Sequence, residues 1–267
     1  MDEPPISSPH NPRVRAAAAL RDRRARDETG LTLIDGAWEL ARALTGGAQV
    51  AEVFVSGSRL STDGLDAVGR ARALGARIVA VSDVVLDRLA FGDRSEGLVA
   101  TVRIPDLSLD GLRLPPDPLV VVVEGVEKPG NLGAVLRTAD AAGADAVIAA
   151  DPRTDLFNPN AIRASLGTIF AVPVAAGSSQ AVRDRLLRDG VRLVAARVDA
   201  TELYTDADLR GPLAIVLGSE AEGLTDAWLG GPVGAVRLPM LGVADSLNVS
   251  IAAAVLLYEA RRQRGIP

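Results

Sequence analysis

The chain reads as two α/β domains, the second built on a mostly parallel sheet. Three observations predict this. Strand-length apolar runs alternate with helical spacings along most of the 267 residues. A proline-rich stretch without periodicity, Ile104 to Pro118, divides the chain into two such series. Immediately after it, Leu119-Val-Val-Val-Val-Glu124 is a continuous apolar run, the pattern of a strand covered on both faces in a parallel sheet.

Residues 1–10, rich in Pro and Ser, read as a disordered tail. A basic helix is expected from Asn11 to about Asp27, with Val14, Ala18, Leu20 and Ala25 too sparse for a deep apolar face. From Asn11 to Gly30, six arginines (13, 15, 21, 23, 24 and 26) face three acids, Asp22, Asp27 and Glu28, a local balance of +3. Such a helix suits either contact with phosphates or plain solvation. Leu31–Ile34 is a short strand, and Asp35 to Leu44 is a helix stopped by Gly46-Gly47. Ala51 to Ser56, a helix from Thr62 to Leu74, and Arg77 to Val81 follow. Ser82 caps a helix to about Leu89, and Gly97 to Arg103 returns as a strand. No catalytic motif occurs in this first domain, 11–104, which reads as a binding module. Residues 105–118 read as a stiff linker.

The second domain, 119–267, continues with the loop Gly125-Val-Glu-Lys-Pro-Gly-Asn131. Asn131 is expected to cap a helix that turns Leu132, Val135, Leu136 and Ala139 inward and ends at Gly143. Arg137 lies off that stripe, a turn and a half beyond Asn131. Strand Ala146 to Ala150 follows. A polar turn over Phe157–Thr168, carrying Arg163 and Ser165, leads into Ile169–Val174. A helix from Ser179 to Arg188 and strands at Val191–Ala196, Leu213–Leu217 and Ala235–Leu238 complete the sheet. After the last strand, Pro239 and Gly242 force a loop. Ser246 or Asn248 then caps an apolar final helix, with Arg261, Arg262 and Arg264 where the helix dipole favours cations.

Composition removes several function classes. Hydrophobic residues make up 48% of the chain, enough for a real core, yet no apolar run nears the ~20 residues of a membrane span. No signal peptide is expected, and a cytoplasmic location fits the absence of cysteine. The single histidine, His10, lies in the tail, so histidine triads and internal metal sites are not expected. Gly125–Gly133 lacks the G-x-G-x-x-G register, and no phosphate loop of the G-x-x-x-x-G-K-[ST] type occurs, which sets aside dinucleotide enzymes and P-loop NTPases. Net charge is −5, so any nucleic-acid contact must rest on locally placed arginine.

Three stretches stand together in order: Asn131 to Arg137 after the first strand, Gly218-Ser-Glu-Ala-Glu-Gly-Leu224 after a late strand, and Leu238-Pro-Met240 with Ser246-Leu-Asn248 before the last helix. This set resembles the three motifs of the SpoU family of RNA ribose 2′-O-methyltransferases, within the SPOUT superfamily. It covers about 119–262. Residues 11–104 resemble, less specifically, the ribosomal-protein-like substrate-binding domains of that family. The layout is most similar to 23S rRNA methyltransferases that protect antibiotic producers.

The resemblance implies a deep trefoil knot in the C-terminal domain, a homodimer through that domain, and S-adenosylmethionine as methyl donor with no metal. Carried over position by position, it implies donor contacts from Leu217, Gly218, Glu220, Leu238, Met240 and Leu247. Asn131, Arg137, Glu220, Ser246 and Asn248 are the polar motif positions around the reaction. RNA contacts are expected from Arg13, Arg21, Arg23 and Arg24, with Arg163 and Ser165 adding a polar wall; the Arg261–Arg264 tail is a further candidate. A tRNA ribose 2′-O-methyltransferase is one alternative and a non-catalytic RNA-binding protein another. A small-molecule or protein methyltransferase on the same knot is a third, weakened by the RNA-domain resemblance.

Overall fold

The computed structural model describes residues 4–91, 96–219 and 222–265. Glu220, expected at the donor site, lies outside them. In chain order the elements are α1 (Pro12–Ala19), α2 (Arg23–Thr29), β1 (Leu31–Asp35), α3 (Ala37–Thr45), β2 (Val50–Val55), α4 (Thr62–Ala73), β3 (Arg77–Ala80), α5 (Asp83–Leu89) and β4 (Leu98–Arg103). Then come β5 (Leu119–Glu124), α6 (Pro129–Ala141), β6 (Ala146–Ala150), α7 (Pro159–Ala164), β7 (Val174–Gly177), α8 (Ser179–Arg188), β8 (Arg192–Ala196), β9 (Glu202–Leu203), β10 (Leu213–Leu217), β11 (Val233–Arg237) and α9 (Val249–Gln263). The chain forms two compact units, Met1–Pro105 with Phe157–Ala171, and Asp106–Leu156 with Val172–Pro267.

The first unit is a four-stranded sheet in the order β1-β4-β2-β3. β4 runs antiparallel to both β1 and β2, and β3 lies parallel to β2. Its core gathers Leu33, Phe54, Val79, Val85, Leu86, Leu89 and Val99. The expected single basic helix is two helices, and its apolar residues are not idle: Val14, Ala17 and Leu20 are buried in that core. The break falls where the buried Arg26 turns back and donates to the carbonyls of Leu20 and Arg21, both at 2.7 Å, taking over acceptors a continuous helix would use. The tail also joins the fold. Ile6 bridges Val81 in parallel and packs against the same core.

Phe157–Ala171 clusters with the first unit although it follows β6 in the chain. Asn158 caps α7 and Pro159 opens it, so the expected polar turn is partly helical. Thr32 donates from β1 to the Phe157 carbonyl at 2.7 Å, and Arg42 of α3 donates to the Leu166 carbonyl at 2.7 Å. Ile169 to Val174 is not a strand; a 3-10 turn at Thr168–Phe170 precedes β7.

The second unit is a seven-stranded sheet in the order β7-β6-β5-β10-β8-β11-β9. Every pairing in it is parallel. All six residues of β5 and all five of β10 are buried, as strands covered on both faces must be. Val122, Ile148, Val182, Leu186, Leu193, Val216 and Trp228 form the core on one side, and α9 packs on α6. The stretch read as a linker packs down as well: Leu112 is buried in this core, with Leu109 and Leu114 against it. From β5 the chain runs outward through β6 to β7, then crosses to β8 and β10 on the other side. Such a reversal opens a crevice at the carboxyl ends of the two central strands.

Candidate active site

That crevice lies where β5, β10, β8 and β11 end. After β10, the chain makes a tight turn in which Ser219 and Gly223 exchange backbone hydrogen bonds of 3.1 and 3.0 Å. The Ser219 hydroxyl accepts from the Glu222 amide at 3.1 Å. Gly218 is required here. A Cβ would collide with the backbone of Gly223 and Leu224, 2.6 Å from the Leu224 nitrogen.

The back of this turn is held by Glu124 at the end of β5. Its carboxylate is 3% exposed and accepts from the Thr225 amide and hydroxyl, both at 2.7 Å, from the Trp228 indole at 2.8 Å, and from the Ser179 hydroxyl. Four donors compensate a carboxylate taken out of water. They also tie three segments, β5, the start of α8 and the stretch after the β10 turn, to one point. A second tie crosses the front. Arg153 bonds Glu222 at 2.5 Å and Glu127 at 2.7 Å, and these bonds, Glu222 first, hold its guanidinium above the ordinary arginine value.

A cleft of about 590 Å³ opens beside the turn, within the ~300–1,000 Å³ typical of small-molecule sites. Leu217, Gly218, Leu238, Met240, Ser246 and Leu247 all line it. A smaller recess of about 90 Å³ shares Gly218, Ser219 and Val249 with the cleft and is lined also by Lys128 and Asn131. The structure therefore gathers residues that lie more than a hundred positions apart in the chain.

Asn131 does not cap α6. Lys128 holds the cap position and Pro129 opens the helix, which leaves Asn131 in the first turn. Its side-chain oxygen is thereby free to accept from Asn248 Nδ2 at 3.3 Å. Asn248, not Ser246, caps α9, accepting from the Ser250 amide at 2.9 Å and hydroxyl at 2.6 Å. Arg137 stands exposed on α6 and pairs with nothing among the described residues.

The arginines expected to meet RNA are placed unequally. Arg21 donates to the Arg88, Leu89 and Ala90 carbonyls at the end of α5. Arg13 lies 3.8 Å from Glu52. Arg23 and Arg24 are exposed, each facing an acid one turn on, Asp27 at 3.6 Å and Glu28 at 2.7 Å. Arg163 lies in the last turn of α7, half-buried. Ser165, expected in a polar wall, is fully buried and donates to the Ile162 carbonyl at 2.8 Å. The C-terminal arginines act as staples: Arg261 binds the Ala142 and Gly143 carbonyls at the end of α6, and Arg264 binds those of Gly211 and Pro118.

Sequence reasoning missed Arg197, Asp199, Glu222 and Asp245 along the cleft. Arg197 grips Asp199 with two bonds, 2.9 and 2.6 Å, which keep that carboxyl below the usual range. The one usable signal was position, since Arg197 follows a strand; that β8 lies beside β10 is not visible in the chain.

Residues 118–258 match the SpoU rRNA Methylase family and residues 11–100 the MRM3-like substrate binding domain. The chain is 36% identical over 222 residues to the 23S rRNA (guanosine-2′-O-)-methyltransferase RlmB of Ralstonia nicotianae, covering 80% of this chain and 88% of that protein. A crystal structure of an RNA 2′-O ribose methyltransferase superposes with a TM-score of 0.84 at 43% identity, over 97% of this chain and 99% of that one. The SpoU methyltransferase AviRb of Streptomyces viridochromogenes, solved with its cofactor AdoMet, gives a TM-score of 0.86 at 30% identity, over 95% and 98%. By family match over 118–258 and by its likeness in sequence and fold to these proteins, the chain belongs to the SpoU rRNA methylase family.

Proposed function

We propose that this protein transfers a methyl group from S-adenosylmethionine to a ribose 2′-hydroxyl of 23S rRNA, in the cytoplasm. The observation that carries the reading is the shared wall between the cleft and the recess: Gly218 and Ser219 border both, with Asn131 and Asn248 bonded at the recess. The cleft fits the donor in size, in its apolar Leu217, Leu238 and Leu247, and in the acid Asp245 that suits a cation, since Asp199 and Glu222 are paired with Arg197 and Arg153. Gly218, Leu238 and Leu247 would hold it through main-chain groups, joined by Leu217 and Met240; Glu220 is proposed to join them.

When bound, the donor supplies a methyl group already activated by its positive sulfur. The chain must then align the ribose oxygen in line with that methyl while the hydroxyl proton passes to solvent water as the O–C bond forms and the C–S bond breaks. Arg137 is free to meet the phosphate beside the target and to orient and polarise the hydroxyl; guanidinium is too basic to accept the proton readily. Asn131, Asn248 and Ser246 are proposed to place the ribose.

We also propose a trefoil-knotted C-terminal domain and a homodimer formed through it. Leu241, Val243, Ile251 and Tyr258 are exposed around the loop before α9 and along that helix, a face that a second copy would cover. Protection against a ribosome-directed antibiotic is a proposed consequence of the same methylation. Arg163 is proposed to reach RNA or the donor carboxylate.

The test is labelled-methyl transfer to unmethylated 23S rRNA fragments, with tRNA alongside and the 2′-O-methyl sites mapped. One methylated ribose in the rRNA is the expected result; transfer to tRNA alone would reassign the substrate. Arg137→Ala should abolish transfer while leaving donor binding, read by calorimetry, largely intact. Loss of donor binding in that variant would move Arg137 from the RNA side to the donor side.

A further inference from the structure

The chain holds few aromatic residues, four Phe, two Trp and two Tyr. Most are at least half-buried, including Phe54, Phe157 and the other tryptophan, Trp228, which is 1% exposed. Trp38 is the exception in the first unit. It sits in the first turn of α3 and is 58% exposed. Nothing in folding favours an indole in that place, because α3 buries Ala37, Leu40, Ala43 and Leu44 on its opposite side.

The stripe beyond Trp38 is basic. Arg42, one turn on, lies over the indole with its guanidinium carbon 5.8 Å from the ring centroid. It is held there by its own bond to the Leu166 carbonyl at 2.7 Å. One turn further, the Thr45 hydroxyl accepts from Arg70 of α4 at 2.9 Å. Trp38, Arg42 and Thr45 thus form the outer stripe of α3, about 10 Å long, with two guanidinium groups along it. The single acid of α3, Glu39, is buried away from the stripe, as is Asp35 just before the helix; Glu96 accepts from the Ala37 amide at 2.5 Å on the N-terminal side of Trp38, and Asp66 of α4 lies one turn before Arg70.

An exposed indole backed by a fixed guanidinium, with a further cation at the far end, matches what an unpaired base and its phosphates require. The ring offers a π-face to any base, and the cations meet the backbone. A protein partner would find one exposed large apolar residue on this stripe, at the end of a run of positive charge. We infer that the outer face of α3 is a stacking platform for an unpaired nucleobase of the RNA substrate, with Trp38 as the stacking surface, Arg42 as its support and Arg70 as a phosphate contact. This rests on the rRNA methyltransferase reading and adds to it where the first unit grips the substrate.

The experiment follows from the tryptophan count. Trp228 is buried, so Trp38 should report on bound RNA by emission. A 23S rRNA hairpin with an unpaired loop, titrated into the full protein, should quench that emission, and a blunt duplex of equal length should not. Trp38→Phe should lose the quenching but keep most of the affinity, since a ring remains. Trp38→Leu should weaken hairpin binding about 5- to 100-fold, while its melting temperature and donor affinity stay at wild-type values. Wild-type hairpin affinity in Trp38→Leu would overturn the inference alone. The same result with a change of mass in light scattering would assign the face to protein contact instead. Wild-type protein that neither binds nor methylates any 23S fragment would overturn the methyltransferase reading as well.

Discussion

Single residues here serve two masters, and Glu39 shows the cost on the folding side. It sits in the first turn of α3, where its carboxylate accepts backbone bonding, yet it is 8% exposed. Burial raises its pKa above the usual carboxylate range, with Glu96 adding to the shift, while its backbone bond and the cations Arg163 and Arg42 oppose it. A carboxyl whose pKa is higher in the folded chain binds its proton more tightly there. Its stabilising effect is complete below the unfolded value and is lost as pH rises through the folded one. Glu39→Gln should therefore raise the melting temperature at pH 7, with the gain shrinking to nothing near pH 4. A variant less stable than wild type at pH 7 would mean the charge is satisfied in place. Glu39 was legible as a first-turn acid; its burial was not, because groups distant in the chain, among them Gly167 packed against its backbone, surround it.

At the scale of elements, the site depends on how strand ends are tied. Glu124 looked in the sequence like the last residue of an apolar strand. In the fold it is the point at which β5, α8 and the turn after β10 converge. Removing its carboxylate leaves the Thr225 amide, the Trp228 indole and two hydroxyls without acceptors, at about 1–3 kcal/mol for each unpaired group that stays dry. Glu124→Ala should lose more than about 3 kcal/mol in urea unfolding with little change in m, and should weaken donor binding through the displaced turn. A loss under about 1 kcal/mol would show that water replaces the carboxylate without effort. The helix caps were easier to read. Ser82 and Asn248, the latter one of two candidates, each hold their helix by the side-chain bond their types favour. Asn131 misled for a definite reason: Pro129 had already set the start of α6.

Over the whole molecule, an acidic chain must bind an anionic polymer through local charge. Arg23 and Arg24 are exposed and held only by surface pairs to Asp27 and Glu28, which contribute little. Arg21 is committed to the end of α5, so it is a poor choice for a binding test. RNA affinity should fall steeply with salt. Arg23→Gln with Arg24→Gln should weaken binding and flatten the salt dependence, leaving donor affinity unchanged. An unchanged salt slope would remove α2 from the RNA interface.

The strand and helix alternation, the apolar runs of β5 and β10, and the three motif stretches around Asn131, Gly218 and Asn248 were set by the sequence, because periodicity, caps and turn residues are local physics. Tertiary structure alone decided which stretches meet. Parallel pairing set β10 between β5 and β8, and so brought Arg197 and Asp199 to the same cleft as Leu238 and Leu247. It placed Phe157–Ala171 with the first unit and spent Arg21, Arg261 and Arg264 on carbonyls at helix ends and strand ends. These outcomes rest on contacts between residues tens to more than a hundred positions apart, and no local preference encodes them.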